Sequence, residues 1–333
     1  MSSQNIPLRL GWVGLGAMGF PMALQLQKKM PASSVLLIYD IDNSTLDRFI
    51  GQITSQQEAV SGQLGGKVVK ASSSKEVADH AEFVIVIVPE GKHVKDVFLN
   101  KDTGILAAND ISGKVFVDCS TIDIETSLLI GKAIEKAHRA KITSQGLLNA
   151  IPPSFYDAPV SGGTAGAFTA SLTVMLGAAP SSPDLPLLKA VLGTFGKNIY
   201  PVGGPSLGLA AKLSNNYLSG LIALATSEAM NMGMRLGIDP KVLQQCFSTS
   251  SGGSWVNDTV NPVPGVCPNA VTSRGYKGGF KVQLMKKDMT LAIEAARQVN
   301  AKLVLGEAGL SAYTAASEDP RCRDRDSRVV YRW

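Results

Sequence analysis

Lys212, in the stretch AAKLSNN, is the single charged residue between Asn198 and Ser227. Burial disfavours an ammonium cation, so a lysine kept in such a run can exchange protons near neutral pH. Asn216 follows four residues later, on the same face of a helix. A lysine snorkelling to solvent beside a merely polar Asn216 is the competing account. Other proton-handling groups are sparse. The histidines are His80, His93 and His138, and no tyrosine has a lysine four residues after it. Cys119, Cys246, Cys267 and Cys322 are widely separated and lack zinc-site spacing, so no metal is expected and the thiols read as reduced.

A second group of residues suits a dinucleotide. GWVGLGAMG sets Gly14, Gly16 and Gly19 in the GxGxxG spacing, with Leu15, Ala17 and Met18 between them. The motif follows a β-rich run and opens a helical one. Gly14 permits the tight turn, Gly16 lets a pyrophosphate approach the backbone, and Gly19 permits close helix–sheet packing. Asp40 ends the next β-rich run, 21 residues beyond Gly19. A carboxylate there accepts from both ribose hydroxyls and repels a 2′-phosphate, which favours NAD over NADP; Asp42 is an alternative for the role. A nicotinium near Lys212 would depress the lysine's pKa further, and alcohol oxidation needs a proton acceptor beside the carbinol.

A third group suits an anionic substrate. In DAPVSGGTAGA (157–167), Ser161, Gly162 and Gly163 follow a strand and expose successive backbone N–H groups, a nest for a carboxylate. An ordinary turn has the same composition. Lys287, in LMKKDMTLA, could close over cofactor or substrate, or serve a surface ion pair.

The elements that must position these residues are legible as patterns. LRLGWVG, VLLIYD, FVIVIVP, KVFVDCS, FYDAPV and SLTVMLGA read as strands separated by helical stretches. The alternation implies a Rossmann-type α/β domain with a doubly wound parallel sheet. Beyond about residue 203 the chain is rich in Leu, Ala and Met. Leu207 to Leu236 reads as one long helix capped by Gly237, then a helix opened by Asp239 and Pro240, and two more in 278–300 and 306–318. The boundaries expected are 1–202 for the NAD-binding domain and 203–333 for an all-helical domain, with the active site in the cleft between them. EDPRCRDRDSR (318–328) reads as a solvated surface segment.

The composition agrees. The 333 residues suffice for about two domains. The net charge of +5 is scattered rather than gathered in a stripe, which argues against nucleic acid and suits a small anion. No apolar run is long enough to span a bilayer. The leader MSSQNIP has neither a signal peptide's apolar core nor a transit peptide's length and arginines.

Together these motifs resemble the β-hydroxyacid dehydrogenase family. GLGAMGFPMALQL is similar to its N-terminal signature, DAPVSGGTAGA to its substrate segment, GLAAKLSNN to its Lys-x-x-x-Asn helix, and GGFKVQLMKKDMTLA to its Phe-x-x-x-Leu-x-x-Lys-Asp pattern. The resemblance covers nearly the whole chain. It implies Lys212 as acid/base, Asn216 as its partner, and Ser161, Gly162 and Gly163 on the substrate carboxylate. It implies cofactor contacts at Val88, Pro89, His93, Thr121 and Lys287; the family often has Asn where this chain has His93. SEAMNMGMRLGIDPKVL and SSGGSWVNDTVNPVPGV are similar to one branch, which implies a homo-oligomer in the mitochondrial matrix, with the cytoplasm as the alternative. Stretches 53–67 and 142–154 look longer than the family's connections and read as surface insertions. A sister enzyme reducing a semialdehyde or glyoxylate would carry the same residues, whereas a silent NAD-binding scaffold would have no need of Lys212.

Overall fold

The computed structural model describes residues 6–59, 65–145 and 150–332. They fall into two compact units, Met1–Lys212 and Leu213–Trp333.

The first unit opens with β1 (Arg9–Val13), α1 (Gly19–Lys29), β2 (Val35–Tyr39), α2 (Asn43–Ala59), β3 (Lys67–Lys70), α3 (Ser74–His80), β4 (Phe83–Val86), α4 (Gly91–Leu99), β5 (Val115–Asp118), α5 (Ile124–Gln145) and β6 (Ser154–Asp157). The six strands form one parallel sheet in the order β3-β2-β1-β4-β5-β6. β4 and β5 are buried along their whole length, as strands covered on both faces must be. The order reverses between β1 and β4, and ligands of such sheets lie at the carboxyl ends of the strands flanking that point. Trp12 is fully buried, with its ring edge-on to Phe195 at 5.8 Å and its indole N–H donating to the Gly14 carbonyl at 2.8 Å.

FYDAPV does not form one strand. Ser154–Asp157 completes the large sheet, whereas β7 (Val160–Ser161) leaves it, because Pro159 has no N–H to continue the ladder. After α6 (Gly163–Phe168) come β8 (Leu172–Leu176), α7 (Leu185–Leu192) and β9 (Gly196–Pro201). β7, β8 and β9 make a separate sheet, antiparallel between β7 and β8 and parallel between β8 and β9. SLTVMLGA therefore belongs to this second sheet rather than to the first.

α8 (Leu207–Arg235) begins in the first unit and continues into the second. Gly237 ends it with φ +97°, and the Gly237 and Ile238 N–H groups donate to the Met234 and Gly233 carbonyls. α9 (Pro240–Ser248) is capped by Asp239, whose carboxylate accepts from the Lys241 and Val242 N–H groups. α10 (Trp255–Thr259), α11 (Val282–Gln298) and α12 (Gly306–Glu318) follow. Met285, Met289 and Tyr313 form the second unit's core, and the Tyr313 hydroxyl donates to the Gly220 carbonyl at 2.8 Å.

The segment 318–328 is a solvated surface run only in part: Glu318, Pro320, Arg321, Arg323 and Asp324 are exposed, whereas its end turns inward. Cys322, Asp326 and Ser327 are buried within it. Asp326 accepts from the Phe280 N–H at 2.9 Å and pairs with Arg328 at 3.1 Å, while Arg325 donates to the Gly275 carbonyl. The charges of Arg325, Asp326 and Arg328 meet internal partners, which lets the end of the segment close over Tyr276 and Val282. Of the stretches read as insertions, 53–59 completes α2 and 142–145 completes α5, while residues 60–64 and 146–149 lie outside the described residues.

Candidate active site

The turn between β1 and α1 assigns a different physical need to each glycine. Gly14 has φ +96°, and a Cβ there would collide with the Ile87 carbonyl. A Cβ on Gly19 would collide with the Gly14 carbonyl and stand 2.8 Å from Ile87 Cγ2. Gly16 is exposed, and a Cβ there would meet nothing within 4 Å. The fold needs the first and third glycines, whereas the space left by the second is open to a ligand. Met18 leads into α1 without a side-chain cap; in the first turn the Phe20 and Met22 N–H groups donate to the Gly16 and Met18 carbonyls and Pro21 has none, so the turn faces outward through exposed Gly16 and Ala17. Buried Leu15 anchors the turn, its N–H donating to Asp40 Oδ2 at 2.6 Å. Asp40 Oδ1 accepts from the Asp42 N–H, and each oxygen keeps a further lone pair for a ribose hydroxyl. Asp42 instead caps α2, accepting from the Ser44 N–H and from the Ser44 and Thr45 hydroxyls; those bonds hold its carboxyl below the usual range.

The loops after β4 and β5 are tied together, since the Val88 N–H donates to Ser120 Oγ at 2.9 Å. Pro89 is exposed, and Thr121 and His93 are half-buried. His93 Nδ1 is a buried atom with no hydrogen-bond partner among the described residues. This orphaned nitrogen and the open cradle at Gly16 both fit a bound dinucleotide. Sequence reasoning passed over Asp118 in DCSTID. It is buried at the end of β5, and burial pushes its carboxyl up to about 7, with Asp157 nearby adding to the rise and bonds from Ser120 opposing it.

Ser161 ends β7, and Gly162 and Gly163 take φ +130° and +64°. Only glycine adopts consecutive left-handed conformations at little cost. They turn the chain into α6, both exposed to solvent.

On α8, Lys212 is 7% exposed and Asn216 6%, so neither points into open solvent. Asn216 Oδ1 accepts from Asn215 Nδ2 at 3.1 Å, and its Nδ2 donates to Asp288 Oδ2 at 2.6 Å. Lys287 Nζ stands 3.2 Å from Asp288 Oδ1. The structure thus joins Leu15 to Asp40, Val88 to Ser120, and Asn216 through Asp288 to Lys287. Asp288 lies in the recognised Lys-Asp pattern, but only its contact with Asn216, 72 residues away, reveals its role.

Comparisons extend this picture. Residues 9–204 match the family model "NAD binding domain of 6-phosphogluconate dehydrogenase", and residues 207–333 match "NAD-binding of NADP-dependent 3-hydroxyisobutyrate dehydrogenase". The chain is 35% identical over 324 residues to the "Probable 3-hydroxyisobutyrate dehydrogenase, mitochondrial" of Dictyostelium discoideum, covering 97% of this chain and 89% of that one. It is 35% identical over 305 residues to the "NAD-dependent L-serine dehydrogenase" of Pseudomonas aeruginosa, covering 92% and 91%. A solved structure of 3-hydroxyisobutyrate dehydrogenase from Mycobacterium tuberculosis with L-serine superposes with a TM-score of 0.81 at 26% identity, over 98% of each chain.

Proposed function

Since this chain belongs to the NAD-dependent β-hydroxyacid dehydrogenase family, we propose that its reaction is the reversible oxidation of 3-hydroxyisobutyrate to methylmalonate semialdehyde. Bound NAD supplies the hydride acceptor. Lys212 Nζ takes the hydroxyl proton as the carbinol carbon gives up its hydride, and returns it in the reverse direction. Asn216, held by Asp288, orients that amine. The N–H groups at Ser161, Gly162 and Gly163 hold the substrate carboxylate and so fix the carbinol, which is catalysis by proximity. The turn from Gly14 to Gly19 receives the pyrophosphate and Asp40 the ribose. Val88, Pro89, His93 and Thr121 would line the nicotinamide side, and Lys287 is the further cofactor contact that the family resemblance implies. Under the same proposal the enzyme works in the mitochondrial matrix as a homo-oligomer, on a free hydroxy acid rather than on nucleic acid or a membrane.

The observation that carries the proposal is Lys212: a buried lysine that is the single charged residue between Asn198 and Ser227. A lysine held there for stability alone would be costly, because its ammonium must be desolvated.

A second substrate has specific support. L-serine has the skeleton of 3-hydroxyisobutyrate with an ammonium in place of the methyl group, and one relative is an L-serine dehydrogenase. The test is the initial rate of NADH formation from each compound, for wild type and Lys212→Ala. A preference for 3-hydroxyisobutyrate, with a loss of several orders of magnitude in the variant and retained NAD binding, is expected. Preference for L-serine would reassign the substrate. Equal rates in both proteins would remove Lys212 from the chemistry. NAD binding without turnover on either compound would point to a sister substrate or a silent protein.

A further inference from the structure

Asp157 closes β6 with its side chain buried, and both carboxylate oxygens are committed to the start of α8. The Ser206 N–H donates to Oδ1 and the Leu209 N–H to Oδ2, each at 2.7 Å. These are donors that the helix's own ladder leaves unmet, at the positive end of its dipole. A buried carboxylate that accepts from both is a strong tether.

The surroundings are shaped to admit it. A Cβ on Gly208 would stand 2.7 Å from Asp157 Oδ2, and one on Gly177 would collide with Oδ1. Gly177 also donates its N–H to the Asp157 carbonyl at 2.8 Å. Ser206 holds a left-handed φ of +62° and donates its hydroxyl to Ser127 Oγ at 3.0 Å, a second tie from the helix start to α5. Such backbone strain persists only where the surroundings over-determine it.

Two functional segments leave from this point. Four residues after Asp157 the chain reaches Ser161, and three residues after Leu209, one helical turn on, it reaches Lys212. We propose that Asp157 is the positioning residue of the reaction: its one carboxylate pins the helical turn that carries Lys212 to the root of the segment that holds the substrate carboxylate. The inference rests on Lys212 as the proton acceptor. Both segments, and every contact named, lie within the first unit.

Asp157→Asn keeps the size of the side chain and turns one acceptor into a donor that faces a backbone N–H. Wild type, Asp157→Asn, Ser206→Gly and Lys212→Ala are compared for kcat and KM with 3-hydroxyisobutyrate (or L-serine, should that be the substrate), the Kd of NAD, and Tm. Asp157→Asn is expected to lower kcat per folded enzyme by about 10- to 100-fold, with NAD affinity within about twofold of wild type, because the glycine turn is held by other residues. A merely structural role would lower Tm and leave kcat unchanged, and that result overturns the inference. Should Asp157→Asn not fold, Ser206→Gly decides. It keeps the N–H donor and relieves the left-handed strain, but loses the Ser127 tie and frees the backbone at the helix start, so a several-fold fall in kcat supports the inference and a wild-type kcat overturns it. An inactive Lys212→Ala beside a fully active Asp157→Asn defeats this inference alone, whereas a fully active Lys212→Ala defeats the reading beneath it.

Discussion

Asn216 Nδ2 donates to Asp288 Oδ2 across 2.6 Å, so α8 and α11 are joined by a hydrogen bond sealed from solvent. Asp288 also faces Lys287 at 3.2 Å. Asp288→Ala leaves a buried amide without its acceptor and removes the carboxylate beside Lys287. It should cost about 1–3 kcal/mol of stability and lower kcat by roughly 100-fold through misplacement of Asn216. Asp288→Asn, which keeps an acceptor, should lose less stability. Thermal unfolding and steady-state kinetics of both variants check this, and unchanged kcat in Asp288→Ala would release Asn216 from any catalytic role.

The glycines of the turn should separate folding from binding. Gly14→Ala forces a side chain into a left-handed backbone against the Ile87 carbonyl and should destabilise the chain by more than about 1 kcal/mol. Gly16→Ala meets no protein atom within 4 Å, so its stability should stay within about 0.5 kcal/mol of wild type. Its NAD affinity should nonetheless fall at least about tenfold, because the methyl group occupies space meant for the pyrophosphate. Calorimetric titration with NAD beside thermal melts would reveal a failure: a Gly16→Ala protein that binds NAD normally.

Asp118 predicts a pH dependence of stability. Burial raises its carboxyl from the unfolded value near 3.8 to about 7. Between those values the folded chain holds a proton that the unfolded chain has lost, so stability falls as pH rises through the window and levels off above it. While Asp118 keeps its proton, the charge beside it on Asp157 is unopposed. Asp118→Asn keeps the acceptor used by the Ser120 N–H and removes the ionisation. Its stability should be flatter from pH 5 to about 8 and exceed wild type at the upper end by a few kcal/mol at most. Parallel curves for the two proteins in denaturant titrations would show that Asp118 does not titrate there.

The candidate residues were legible where local pattern carries the information. GxGxxG marks a turn by spacing alone, and Lys212 stands out by the absence of charge around it. Asp239 and Gly237 announce helix ends because capping is local. What stayed hidden is long-range. Asp157 and Asp288 take their meaning from partners 49, 52 and 72 residues away. β3 and β9 carry lysines and exposed positions, so they lack the apolar run that marks β4. α10 sits among glycines and prolines, and its signal is Ser254, whose hydroxyl accepts from the Asn257 N–H. Asp42 stood as an alternative to Asp40 because a cap and a ligand carboxylate are the same residue type. The charged run at 318–328 misled over its last residues, because charge density normally means solvent and a charge with an internal partner, such as Asp326, looks the same in one dimension.

That run makes a stability prediction. Asp326 is fully buried, pairs with Arg328 and accepts the Phe280 N–H. Asp326→Ala strands a mostly buried guanidinium and should destabilise the protein by about 3–5 kcal/mol, with the glycine turn's NAD affinity unchanged in whatever fraction remains folded. An exposed pair, such as that of Arg9 with Glu82, should cost under about 1 kcal/mol when broken. Urea unfolding of the two variants compares them directly, and equal small losses would return the segment to the surface.

Trp12 has an optical consequence. Its indole is buried against Phe195 and hydrogen-bonded to the carbonyl of Gly14, the first residue of the cofactor turn, whereas Trp255 is 62% exposed; Trp333 lies outside the described residues. Under ultraviolet excitation Trp12 emits from apolar surroundings, at shorter wavelength than Trp255, and a dissolved quencher such as acrylamide reaches Trp255 first. Filling the turn should therefore be readable, without a label and before a single turnover, as a change in the short-wavelength part of the chain's own emission, with the Trp255 part unchanged.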